Sequence, residues 1–293
     1  MLKPEDVTIG ISPRERYKVS AQMIRRLREK TPKGPQVLYV DAAVPEKYRP
    51  DIADALQEYG DYNVLQSDAY LLPIQATNRL IQECRTPILA LLENDVMVDD
   101  DWIDPVLEEF NDPHTDYISP EIMEAHKNTL EGDAKIVYHF NPVESDITVA
   151  DDGTIMSDVK RIPGKNPPID VKQKRQIKHL ERHAFFGKTD SFRAIHPLPE
   201  FLNTREQMHI ALCIHMARQR IMMVPQCSVK YLELPLELEE IDNYLLRWDP
   251  ERGQQSNDFV ERTWKLGDFR SSMDDINNRI RRALALRQKL QES

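Results

Sequence analysis

The chain is poor in glycine, cysteine and aromatic residues: 9 glycines, 3 cysteines and 7 % aromatics in 293 residues. Cys84, Cys213 and Cys227 show no CxxC spacing and sit among apolar neighbours. That pattern excludes a disulfide framework and predicts buried free thiols in a reducing compartment. The formal charge of −10 denies the chain the broad basic surface that nucleic-acid binding requires, so no nucleic-acid partner is expected. A local pocket can still hold a small anion against the net charge. No segment approaches 18 uninterrupted apolar residues, and the start, MLKPEDVTIG, lacks the apolar run of a signal peptide. The expectation is a soluble, cytoplasmic protein with no transmembrane segment.

What is present is a strand and helix rhythm on a scale that suits one large α/β domain or two smaller ones. VTIGIS (7–12), QVLYVD (36–41), YNVLQ (62–66) and PILALL (87–92) read as strands. Residues 16–30, 47–59 and 71–84 between them carry apolar side chains at helical spacing, for example Ile24 and Leu27, or Ile74 and Ile81. Alternation of this kind implies right-handed crossovers and a parallel sheet covered on both faces. Ligands then belong at the carboxyl ends of the strands. Those ends carry Ser12-Pro13-Arg14-Glu15-Arg16, Asp41, Ser67-Asp68 and Glu93-Asn94-Asp95, four polar groups that could surround one crevice.

After residue 118 the rhythm weakens. DITVADDGTIMSDVK (146–160) reads as a hairpin turning at Asp152-Gly153, and RIPGKNPPIDVKQKRQ (161–176) as a Pro-rich basic loop, either a substrate lid or a surface excursion. A strand at 184–187, a largely apolar helix at 204–219 and a strand at 221–224 that stops at Pro225 follow. The amphipathic helix 273–290 could pack on its own domain or mediate self-association.

LLENDVMVDDDW (91–102) runs from apolar residues into five carboxylates. Glu93 and Asp95 close a strand at the alternate spacing that suits a hard divalent cation, Mn²⁺ or Mg²⁺, bridging a diphosphate. Asp99, Asp100 and Asp101 precede a helical run and are expected to cap it.

Taken in order, VTIGISPRERYKVS, Asp41, QATNRLIQECRTPILALLENDVMVDDDWI and REQMHIALCIHMARQRIMMVP resemble the landmarks of GT-A glycosyltransferases, particularly family 2. The resemblance implies a three-layer α/β/α domain with a mostly parallel central sheet, a nucleotide-diphosphate sugar donor and an acceptor that is a glycan, a lipid or a small molecule. It places the nucleotide-sugar-binding half at residues 1–118, an insertion or acceptor loop region at 119–182, the acceptor-binding and catalytic half at 183–270, and a C-terminal helix at 271–293. By the same resemblance Ser12, Pro13 and Glu15 meet the nucleobase or ribose, and Asp41 contacts the base. Asn78 lies beside the nucleotide in an element where Thr77 replaces the family's arginine. Glu93-Asn94-Asp95 is an ExD variant of the family's DxD motif: Asp95 and Glu93 are the implied metal ligands, and Glu93 and Asn94 also meet the nucleotide.

In inverting members an acidic pair on the late helix supplies the general base, and the match puts Glu206 and Gln207 there. Glutamine cannot take a proton. Glu206 is then the base, or the enzyme is retaining, or catalysis has been lost. His209 follows Glu206 by three residues on the same helical face, a second base or metal candidate that could equally be a hydrogen-bonded core residue. His183 is placed on the acceptor side, and Trp248, Phe259 and Trp264 are aromatics for an acceptor sugar or for the core. A sugar nucleotidyltransferase is the weaker alternative, because ISPRERYK has no glycine after the strand; a non-catalytic binding or scaffold protein with the same fold is the other.

Overall fold

The computed structural model of the protein describes residues 1–126, 135–163, 173–267 and 269–292. Its first half has the expected rhythm: β1 (Val7–Ser12), α1 (Ser20–Lys30), β2 (Gln36–Ala42), α2 (Arg49–Tyr59), β3 (Tyr62–Ser67), α3 (Pro73–Glu83) and β4 (Ile88–Glu93). α1 begins one turn later than its apolar spacing predicts. Arg16 adopts a left-handed backbone (φ 72°), and a single 3₁₀ turn over Tyr17–Val19 intervenes. Pro73 occupies the first turn of α3, where its missing N–H breaks no helical hydrogen bond.

The second half adds β5 (Val96–Val98), α4 (Asp104–Phe110), β6 (Tyr117–His126), β7 (Lys135–Val149), β8 (Ile155–Pro163) and β9 (Arg175–Ile177). Then come β10 (Ala184–Lys188), α5 (Thr189–Ile195), α6 (Glu206–Met216), β11 (Ile221–Glu233), α7 (Ile241–Arg247), α8 (Pro250–Trp264) and α9 (Met273–Glu292). The main sheet has the order β3-β2-β1-β4-β10-β6-β11-β5, in which β10 and β5 run against the other strands. The sheet is therefore mostly parallel. Along β4 the side chains divide by period two: Ile88, Ala90 and Leu92 enter one apolar cluster with α1 residues Ile24 and Leu27, whereas Leu89 and Leu91 enter another with Leu80 of α3 and Ile210 of α6. Both faces of the sheet are covered, as the three-layer expectation requires.

Four expectations change. β6 lies in the main sheet between β10 and β11, so the region expected as an insertion starts inside the core. β11 continues through Pro225, because the ladder with β6 is broken between Val224 and Ser228 and proline sits in that bulge without forfeiting a hydrogen bond. Asp99, Asp100 and Asp101 do not cap α4, which starts at Asp104 without a side-chain cap. Asp99 instead pairs with Lys230 at 2.9 Å, Asp100 with Lys30 at 2.6 Å, and Asp101 turns the chain at φ 52°. α6 begins at Glu206, after Arg205 in a left-handed conformation, and ends at Met216. The hairpin formed by β7 and β8 turns at the expected Asp152-Gly153, while most of the Pro-rich loop lies outside the described residues. α9 packs back on its own domain, Ile276 and Ala283 joining Ile241, Tyr244 and Trp248.

Gly187 of β10 is required for space. A Cβ there would fall 2.6 Å from the Phe192 ring and 2.7 Å from the Tyr117 ring, two side chains that meet edge-on in the core. Gly187→Ala is expected to cost about 1–3 kcal/mol by overpacking. Urea unfolding measures it, and an unchanged midpoint would contradict this packing.

Candidate functional site

The site forms where β1 and β4 end side by side, Ser12 opposite Glu93 in the register. Because β10 runs antiparallel to β4, the residues that precede it, Arg182 and His183, arrive at that same end, and the Glu93 N–H donates to the His183 carbonyl at 3.0 Å. The N-terminus of α6 brings Glu206 and Gln207, α7 ends at Arg247, and α9 adds Asp275 and Arg279. Together these residues line a cavity of about 480 Å³. That volume is in the range of small-molecule sites.

Charged groups are packed densely there. Arg14 donates to Glu93, and His183 Nδ1 lies 2.6 Å from the same carboxylate oxygen. Arg182 Nη1 stands 3.9 Å from both Glu93 and Glu206, and Arg247 reaches Glu15 at 3.1 Å and Glu206 at 3.8 Å. Burial alone would raise Glu93, but Arg14 and then His183 hold it well below the usual carboxylate range. Burial pushes Asp95 up to about 7, against the pull of Arg16 and Arg14. His183 is driven down to about 4 by burial despite its contact with Glu93, so it is neutral at pH 7. Its ring stacks on Tyr231 with centroids 3.8 Å apart.

The residues singled out in the sequence separate into distinct places. Glu93 and Glu206 line the cavity, as does His183. Glu15 lies behind it, 1 % exposed, on Arg247 and the Tyr70 hydroxyl. Ser12 and Pro13 are buried in the same loop. Asn94 is fully buried and ties that loop to α1, accepting from the Arg14 N–H at 2.7 Å and donating to Ser20 Oγ at 2.8 Å. Asn78 exchanges two hydrogen bonds with the backbone of Leu198, at 2.8 and 3.0 Å, so its amide fastens a loop. Asp41 sits 3.6 Å from Arg49 in a second cavity, about 200 Å³, with Tyr39 and Gln66.

Neither Glu93 nor Asp95 fits a divalent ion in the expected position. Arg14 and His183 take up Glu93 Oε2, and Arg16 lies 3.3 Å from Asp95 Oδ2; Glu93 Oε1 and Asp95 Oδ1 make no hydrogen bond among the described residues, but Asp95 is 0 % exposed and does not reach the cavity. An ion that keeps several water or phosphate ligands needs an open face, and a dication there would meet the guanidinium groups of Arg14, Arg16 and Arg182. Among the described residues no three His, Cys, Asp or Glu side chains are grouped to hold a metal.

His209 is likewise removed from the chemistry. Its Nδ1 accepts from the Trp264 indole at 3.0 Å, its Nε2 lies 3.4 Å from the Cys213 sulfur, and the ring packs between Phe259 and Trp264. Burial pushes its pKa down to about 4. A histidine whose folded pKa lies below its unfolded value near 6.5 stabilises the fold above that value, and this stability is lost as pH falls through about 4. Between pH 7.5 and pH 5 the protein is expected to lose about 2 kcal/mol through this ring alone. His209→Asn, which keeps an acceptor for Trp264, should lose less over the same interval in urea unfolding; an identical slope would refute a neutral core role.

The arginines are what motif reading passed over. Arg14 was visible beside Glu15 and Arg205 beside Glu206, but Arg182, Arg247 and Arg279, which also line the cavity, belong to no acidic or glycine-rich signature. Arg182 had one usable signal, its place immediately before a strand. Only the antiparallel direction of β10 shows which end of the sheet that is.

Comparison with solved structures agrees with this architecture. GalNAc-T7 with UDP, GalNAc and Mn²⁺ superposes with a TM-score of 0.60 at 15 % identity, over 88 % of this chain and 50 % of that one. A mannosyltransferase of Pyrobaculum calidifontis, PcManGT, with GDP-Man and Mn²⁺ gives 0.55 at 12 % identity, over 96 % of this chain and 73 % of that one. TarS residues 1–349 of S. aureus with UDP-GlcNAc give 0.54 at 11 % identity, over 88 % and 72 %. The chain thus has the GT-A fold and spans half the length of the GalNAc-T7 structure. No curated protein matches it in sequence. The model of one family, Glycosyl transferase family 2, matches residues 10–193, from the first strand through β10, well over half of the chain. On that match, carried by the strands that build the cavity, the chain belongs to glycosyl transferase family 2.

Proposed function

We propose that the protein transfers a sugar from a nucleotide-diphosphate sugar to an acceptor hydroxyl. The observation that carries this reading is the cavity at the joined ends of β1, β4 and β10, where a buried carboxylate, Glu206, stands among arginines. The donor's diphosphate meets the arginine side, and its nucleoside lies toward β2 and Asp41. Glu206 takes the proton from the acceptor hydroxyl as the glycosidic bond forms and the nucleoside diphosphate leaves. Gln207 lines the cavity beside it and can only hydrogen-bond. Glu93 locks Arg14 and His183 in place, and Asn94 holds the first loop to α1. No step is assigned to His209.

This reading is supported by membership of the family and by nucleotide-bound neighbours of the same fold. A thermal-shift series with UDP, GDP and their sugar conjugates tests it. One nucleotide series should raise the unfolding temperature in a saturable manner, because a ligand that binds only the native state stabilises it by mass action. No shift with any nucleotide or nucleotide sugar would refute the donor class.

A further inference from the structure

Three of the arginines that line the cavity are more than nine-tenths buried but short of partners. Arg14 is 8 % exposed, Arg182 7 % and Arg247 3 %. Yet Arg14 Nε, Arg182 Nε and Nη1, and Arg247 Nε are buried with no hydrogen-bond partner among the described residues. Arg182 is the extreme case: its one side-chain hydrogen bond among the described residues is a long one, 3.4 Å from Nη2 to Thr77 Oγ1, and both carboxylates near its Nη1 stand at 3.9 Å, outside hydrogen-bond range. Burial pulls its pKa below that of an ordinary arginine, the mark of a charge short of compensation. Buried charged donors left unmatched are costly, and such groups in a folded protein point to a missing partner. That partner must be anionic, rich in oxygen and able to reach several guanidinium groups at once.

We propose that Arg182, with Arg14 and Arg247, binds the donor's diphosphate directly, so that arginine charge takes the place of the divalent cation that the ExD spacing suggests. This rests on the donor class proposed above. Guanidinium groups suit the role because their planar forks pair with phosphate oxygens and remain charged at any working pH. The occupation of Glu93 by Arg14 and of Asp95 by Arg16 then follows from the same design: the two acids orient arginines.

The test is calorimetric binding of UDP and of GDP to the full chain, in EDTA and in MnCl₂. At least one nucleotide should bind in EDTA with a dissociation constant within about threefold of its manganese value. Arg182→Met should weaken that binding by about tenfold or more, the loss expected for a hydrogen bond to a charged group, while uridine or guanosine binding is unmoved. Arg182→Lys keeps the buried charge where Met fails to fold, and it should also weaken diphosphate binding because the fork is gone. Binding that requires manganese would overturn the proposal and leave the glycosyltransferase reading intact. Unaltered affinity in a folded Arg182 variant would overturn it as well. Failure of both nucleotides to bind in either buffer would overturn the donor class and the proposal together.

Discussion

Glu206→Gln is expected to lower sugar transfer by about 10²–10⁴-fold, the usual contribution of a positioned general base. The substitution keeps the shape of the side chain and removes only its capacity to accept a proton. Among the acids that line the cavity, Glu93 is held by Arg14 and His183, and Asp275 is paired with Arg279 at 2.8 Å. The Glu206 carboxylate is 3.8–3.9 Å from two guanidinium groups and makes no hydrogen bond to another side chain among the described residues, so it can receive an acceptor hydroxyl. Donor affinity should stay within about threefold of wild type, because only an interaction made in the transition state is lost. Glu181→Gln is the control, since Glu181 also lines the cavity. A fully active Glu206→Gln protein would reject Glu206 as the base.

Arg247→Met is expected to cost about 3–5 kcal/mol of stability at pH 7, the range for removing one partner of a buried ion pair. Glu15 is 1 % exposed, and Arg247 is its nearest cation at 3.1 Å. Against burial, which alone would raise it, Arg247 and then Arg14 and Arg16 hold the Glu15 pKa below the ordinary value. A carboxyl with a depressed folded pKa contributes stability above its unfolded pKa near 4.3 and loses it as pH falls through the folded value. Without Arg247 burial prevails, the pKa rises, and the stranded charge destabilises the protein most at neutral pH. The gap between variant and wild type should therefore narrow from pH 7 to pH 4 in urea unfolding. A gap of constant size would mean that lost packing on Trp248, whose ring lies 4.9 Å from this guanidinium, matters more than charge.

Much of the fold was legible because its signals are local. Alternation of strand and helix signals marked out β1 to β4, since the central strands β1 and β4, buried on both faces, carry nearly continuous apolar runs, while the edge strand β3 is more polar. The passage through Pro225 was not legible, because whether proline breaks a strand depends on the ladder beside it, and that ladder involves β6, a hundred residues earlier. The site followed the same division. Glu93 could be found from its alternate spacing with Asp95 and Glu206 from the family resemblance, and the structure does bring both to one cavity. Their electrostatic partners could not, because Arg182 and Arg247 meet them through a strand reversal and a helix end distant in sequence. Acids that read as an open metal site when considered alone become anchors for arginines once those neighbours are placed. His209 shows the converse: helical spacing put it near Glu206, but Trp264 and Cys213 take up both ring nitrogens.

The central claim is nucleotide-sugar turnover at this cavity. Its most direct measurement is the release of nucleoside diphosphate from a panel of UDP- and GDP-sugars, with water or a simple alcohol as acceptor, by wild-type protein and by Glu206→Gln. Steady release from at least one donor is expected with the wild type, and a loss of about a hundredfold or more in the variant. Release at equal rates by both proteins, or binding of a donor without any release by the wild type, would contradict it.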